Sequence, residues 1–204
     1  MSCNHGNHDA RRPACGYFSL IAAGEPFRLL FPIGTLIGIF GVMMWPLYVW
    51  NVTSTYPGIP HARIMIEGFL TCFVVGFLGT ALPRLLDVPR VTLAETLGFA
   101  AALVTVVALH FCGWTLMGDE LFLLTLVGLM IALMLRAIFR KDTPPPAFVL
   151  VAMGLLSALA GAAILALAQI APDAVSARSV TFGRLLLHQG YLLLPIMGIA
   201  VSAG

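Results

Sequence analysis

Charge is what this sequence has least of. Only 10% of its 204 residues are charged, against 60% hydrophobic, and the mean hydropathy is +0.98. A soluble domain of this length carries roughly 25% charged residues. So little polar surface cannot cover a water-facing sphere, which excludes a soluble globular domain and predicts an integral membrane protein.

Other absences narrow the function. The net charge is only +2, and the basic residues are scattered at predicted helix ends rather than gathered on one face, so nucleic acid is excluded as a partner. The basic "RRPACG" lacks a following short apolar region with a small-residue cleavage site. Glu25, Pro26 and Arg28 precede the first apolar run, so no cleavable signal peptide is predicted. Cys3, Cys15, Cys72 and Cys112 have neither the spacing of a disulfide framework nor that of a zinc ribbon. No catalytic triad, nucleophile elbow or phosphate-cradling loop is present. The sequence therefore names no reaction, and the balance falls towards a protein that is not an enzyme.

What is there is length of apolar helix. A bilayer core needs about 20 apolar residues per span, and six stretches qualify: 27–50, 63–85, 93–116, 120–139, 147–170 and 185–203. The expected fold is an all-α polytopic transmembrane bundle of about six spans. Residues 1–26 form a cytoplasmic tail and interfacial lead-in, and residues 27–204 the membrane domain. The connections are short, and prolines 144–146 break the pattern between the fourth and fifth spans. The last span stops at "AVSAG" with no basic flank, so the chain is expected to be part of a longer architecture.

Arg11, Arg12, Arg28, Arg84, Arg90, Arg136, Arg140 and Lys141 fall on one predicted side, against Arg63, Arg178 and Arg184 on the other. The positive-inside rule then makes the N-terminus cytoplasmic. Trp45, Tyr48, Trp50, Tyr56 and Trp114 form an aromatic belt at the outer face.

With this topology His61, His110 and His188 share the outer membrane level on three different spans. Imidazoles there either rest at headgroup level or ligate a haem iron or a copper ion. His5 and His8, in "CNHGNH", read as part of a disordered tail. Arg63 and Glu67 are four apart and share a helix face, which predicts an ion pair. That pair either fixes the start of the second span or holds an anionic group on Arg63, such as a haem propionate. His61, Met65, Gly68, Cys72, Gly76 and Gly79 lie along one stripe. Its glycines suit close helix packing, while His61 and Met65 are spaced to reach one soft metal.

The run "HARIMIEGFLTCFVVGFLGTALPRLL" resembles the NnrS family, polytopic bacterial membrane proteins containing haem and copper and linked to the response to nitric oxide. His61, Ala62, Met65, Gly68, Phe69, Gly76, Phe77, Leu78, Thr80, Ala81 and Pro83 carry the likeness, and "EPFRLLFPIG" is similar to the family's first span. Arg63, Ile64 and Glu67 depart from it, standing where the family has a histidine, an acid and an aromatic. The resemblance covers roughly residues 15–204, the first half of a family architecture of about twelve spans. It implies a bacterial inner-membrane protein associated with haem and, less directly, copper. His61, His110, His188, Arg63 and Glu67 would lie at the cofactor, with His61, Met65 and His188 as metal ligands. Its partners would be membrane lipid and either a second half-bundle or a second copy. The other readings are half of a transporter, with Arg63 and Glu67 in the substrate path, and a structural membrane subunit.

Overall fold

A computed structural model describes residues 17–138 and 148–202. The tail residues Cys3, His5, His8, Arg11, Arg12 and Cys15, the basic Arg140 and Lys141, and prolines 144–146 lie outside the described residues. Among the described residues there are helices and no strands. The helices are α1 (Tyr17–Ala22), α2 (Phe27–Val49), α3 (Gly58–Arg63), α4 (Thr71–Leu85), α5 (Leu93–Phe111), α6 (Thr115–Ile138), α7 (Phe148–Ile170), α8 (Ala177–Leu185) and α9 (Tyr191–Ser202). Two π-helical turns, Ile64–Leu70 and Leu186–Gly190, join α3 to α4 and α8 to α9 without a break. Five helices are long and apolar enough to cross a membrane: α2, the continuous Gly58–Leu85, α5, α6 and α7. The described part of the sixth expected span, residues 185–202, lies in the continuous run 177–202, which is not one of those five.

The bundle winds in chain order. α2 packs on α4, α5 on α6, α6 on α7, and α7 on α9. Small residues set the approach of the first pair. Gly34 faces Cys72, Gly38 faces Phe69 and Gly41 faces Met65, each so closely that an added Cβ would fall within 2.6–2.9 Å of the neighbour. On the other strip of the same interface, Gly76 and Gly79 pack on Phe31 and Pro26. The expected stripe of small residues is therefore packing surface, as close helix approach in lipid requires.

The end of the bundle that carries Arg28 and Arg84 is tied by charge. Glu25 pairs with both. Arg136 pairs with Glu95 at 2.5 Å and donates to the Pro89 carbonyl at 3.0 Å. Glu95 also closes a capping box with Thr92 at the start of α5. Basic residues expected on one side of the membrane thus gather at one end of α2, α4, α5 and α6.

One boundary differs from expectation. The third and fourth spans were expected to join at residues 118–119, but α5 stops at Phe111 and α6 begins at Thr115. Gly113 adopts φ +82°, a left-handed conformation open to glycine at little cost, and the Trp114 N–H donates back to the Leu109 carbonyl at 2.9 Å. This early turn places Gly118 and Asp119 inside α6 rather than in a loop. It determines what happens at the site.

Candidate functional site

The polar centre lies where the π-turn after α3, the last turn of α5 and the second turn of α6 meet. His110 and Asp119 face each other across the tight Gly113 turn, and Glu67 enters from the π-turn. All three are buried, with His110 1% exposed and the two acids 4% each. His110 Nε2 donates to Glu67 Oε2 at 2.7 Å and lies 3.7 Å from Asp119 Oδ1. Arg63 donates from Nη1 to Asp119 Oδ1 and, at 3.4 Å, to the Thr115 carbonyl. Gln169, from the end of α7, donates to the other Asp119 oxygen and accepts from the Thr115 hydroxyl at 3.2 Å. The network thus joins the Gly58–Leu85 helix, α5, α6 and α7. Burying charge is tolerable only when it is paired and hydrogen-bonded in this way.

The His110 ring lies flat against Gly118, where an added Cβ would come within 2.5 Å of the ring. Its Nδ1 is buried and makes no hydrogen bond. The ring therefore acts through Nε2, which faces the two carboxylates. One ligand atom each from Glu67, His110 and Asp119 lies within 4.8 Å of the others, the arrangement of a three-donor cation site.

The expected Arg63–Glu67 ion pair is corrected here. Glu67 is paired within the bundle, but with His110, and Arg63 pairs with Asp119. Glu67 sits inside a π-helical turn, whose wider i→i+5 spacing breaks the α-helical i, i+4 register. The inward-facing partners come from α5 and α6.

The other two histidines sit apart from this centre. His61 donates from Nδ1 to the Gly41 carbonyl of α2 at 2.9 Å, with its ring 5.8 Å from that of Trp45. Met65 packs on the same Gly41, so the expected His61–Met65 pair does converge on one spot of α2. Trp45 and Tyr48 each meet Tyr56 edge to face, so part of the expected aromatic belt is a contact cluster between α2 and the 51–60 loop. His188 lies in the second π-turn and borders a cavity of about 340 Å³ together with Arg63, Glu67, Arg184 and Leu187. Among the described residues the cluster of potential metal donors contains His110 but neither His61 nor His188.

Asp119, Gln169 and Gly118 were not among the residues picked from the sequence. The expected spans 93–116 and 120–139 leave Asp119 between helices. An acid in the second turn of a membrane helix is the signal that marks it, once the helix boundary is set at the Gly113 turn. Gln169 is a lone amide near the end of an otherwise apolar helix.

A family model described as NnrS protein matches residues 22–203. No curated protein and no solved structure matches the chain.

Proposed function

The chain belongs to the NnrS family across residues 22–203, and we propose that it is a haem- and metal-associated membrane protein that contributes to the response to nitric oxide. The observation that carries the haem reading is the posture of His61. Ligating histidines commonly give their second ring N–H to a carbonyl or carboxylate, which fixes the tautomer and orients the ring. His61 gives its Nδ1–H to the Gly41 carbonyl, so its Nε2 lone pair would be the atom that holds a haem iron. Haem held there supplies an iron atom able to take a diatomic ligand. The chain's own part is to hold the imidazole, with Trp45 and Met65 fixing its surroundings on α2.

A second cofactor position is favoured by the Glu67–His110–Asp119 set. Its nitrogen and two carboxylates suit a divalent first-row ion better than copper(I), which prefers thioether and thiolate. A divalent ion would be held by His110 Nε2, in place of its proton, and by one carboxylate oxygen each of Glu67 and Asp119, atoms that lie within 4.8 Å of one another. His61, Met65 and His188, the ligands the resemblance implies, are not members of this buried set.

The experiment is chemical analysis of protein purified from haem- and metal-replete cells. Haem is assayed as the pyridine haemochrome, and metals by plasma mass spectrometry. The reading expects both, with His110→Ala lowering the metal but not the haem; protein free of both would refute it. The transporter reading draws support from the shared cavity of Arg63 and Glu67, and solute flux into proteoliposomes without bound haem would favour it. We further propose that the protein lies in the bacterial inner membrane with its N-terminus cytoplasmic. Impermeant labelling of Ser54→Cys in intact cells, in a cysteine-free background, supports that orientation, and its absence contradicts it.

A further inference from the structure

The cavity between the two π-helical turns has a chemical character that neither the buried metal set nor the haem reading uses. Well under 1% of residues in proteins are π-helical, and such turns occur frequently at functional sites. Here two of them, on different helices, border one cavity of about 340 Å³ through Ile66 and Glu67 on one side and Leu187 and His188 on the other. That volume lies within the range of small-molecule sites.

The cavity's cationic side is built from two guanidiniums. Arg63 is held from behind, because Nη1 alone makes its bonds to Asp119 and the Thr115 carbonyl. Its Nε and Nη2 donors make no hydrogen bond among the described residues. Those two N–H groups form the parallel fork that matches a carboxylate. Arg184 borders the same cavity and has no hydrogen bond or ion pair among the described residues. Arg63 and His188 line the same cavity as Arg184. Arg63 is already paired with Asp119, so Arg184 is the cation that an anion entering this cavity would newly pair. The acid on the wall, Glu67, already has Oε2 engaged by His110. The remaining wall is apolar, from Ile59, Ala62, Ile66 and Leu165.

We infer that this cavity binds a carboxylate carried on an apolar body, its carboxylate forked on Arg63 and capped by Arg184 and His188. The chemistry is shared by three sources: a free carboxylic acid, a lipid acyl carboxylate, and a carboxylate edge of a tetrapyrrole. The inference rests neither on His61 nor on a bound metal ion, and takes from the buried set only the Asp119 bond that holds Arg63 and the His110 bond that engages Glu67.

The test uses the full chain purified in an uncharged detergent, with hexanoate as the probe and 1-hexanol as its neutral counterpart. Calorimetric titration is corrected for partition into empty micelles. Saturable binding of hexanoate and none of hexanol is expected. Arg184→Gln should weaken hexanoate by about tenfold or more, since a charge-assisted bond is lost. This side chain is exposed, so the variant should fold as the parent does. Arg63→Lys keeps the charge but removes the fork, and should weaken binding comparably. Equal binding of hexanol, or hexanoate affinity unchanged in Arg184→Gln, overturns the proposal. Mass spectrometry of what hexanoate displaces then assigns the source: a released lipid or tetrapyrrole identifies a resident ligand, and saturable binding with nothing released identifies a free acid. His61→Ala should leave hexanoate binding intact, which separates failure of this site from failure of the haem reading.

Discussion

Glu67 accepts a hydrogen bond from His110 at 2.7 Å, across 43 residues of sequence, with both residues buried. The bond joins the π-turn of the second span to the last turn of the third. Its consequence is a difference between two substitutions. Glu67→Ala leaves the Nε2–H of His110 buried without an acceptor, and removal of one partner from such a pair costs about 3–5 kcal/mol. Glu67→Gln keeps an oxygen in place to accept that proton and should cost distinctly less. Thermal unfolding in detergent checks the order. Equal losses for Gln and Ala would mean that the bond to His110 does not hold Glu67.

Arg63 and Asp119 should behave as one unit. Arg63→Gln and Asp119→Asn each break the pair, and the double change should cost well below the sum of the two, with a coupling of about 0.5–3 kcal/mol. The corresponding cycle for Arg63 and Glu67 should show the smaller coupling. The opposite ranking would restore the helix-face pair expected from the sequence.

That contrast marks what the sequence could and could not show. Apolar run length was enough for an all-helical membrane bundle, because a bilayer imposes the same demand on every span. The glycines of the second span announced close packing, and Gly68, Gly76 and Gly79 do pack against Val107, Phe31 and Pro26. The partners of the charged groups were not legible. Periodicity assumes an α-helical register, and the turn at Ile64–Leu70 departs from it. The Gly113 turn then moved Asp119 from a supposed loop into the bundle. His110 was picked for its depth, but nothing in its surroundings by sequence pointed to Glu67.

Glu25 gives the fold a pH dependence at the end of the bundle that carries Arg28 and Arg84. The Arg28 guanidinium, with Arg84 beside it, holds the Glu25 carboxyl below the usual carboxylate range, against a smaller opposing effect of burial. A carboxyl whose value is lower in the folded state stabilises the fold above its unfolded value of about 4.3, and that contribution is lost as pH falls through the folded value. Parent and Glu25→Gln melting temperatures should therefore differ most near neutrality and converge below about pH 4. A gap that persists or widens in acid would mean that Glu25 acts through packing and not charge.

The visible spectrum of protein purified from haem-replete cells, with and without nitric oxide, tests the central reading most directly. The posture of His61 on the Gly41 carbonyl predicts a Soret band that shifts when nitric oxide is added to the reduced protein. His61→Ala should diminish or displace that band, because loss of an axial imidazole changes the iron's ligand field, while His188→Ala should leave the band's position unchanged. A haem spectrum and nitric oxide response identical in the parent and in His61→Ala would contradict the assignment of His61 as the iron's ligand.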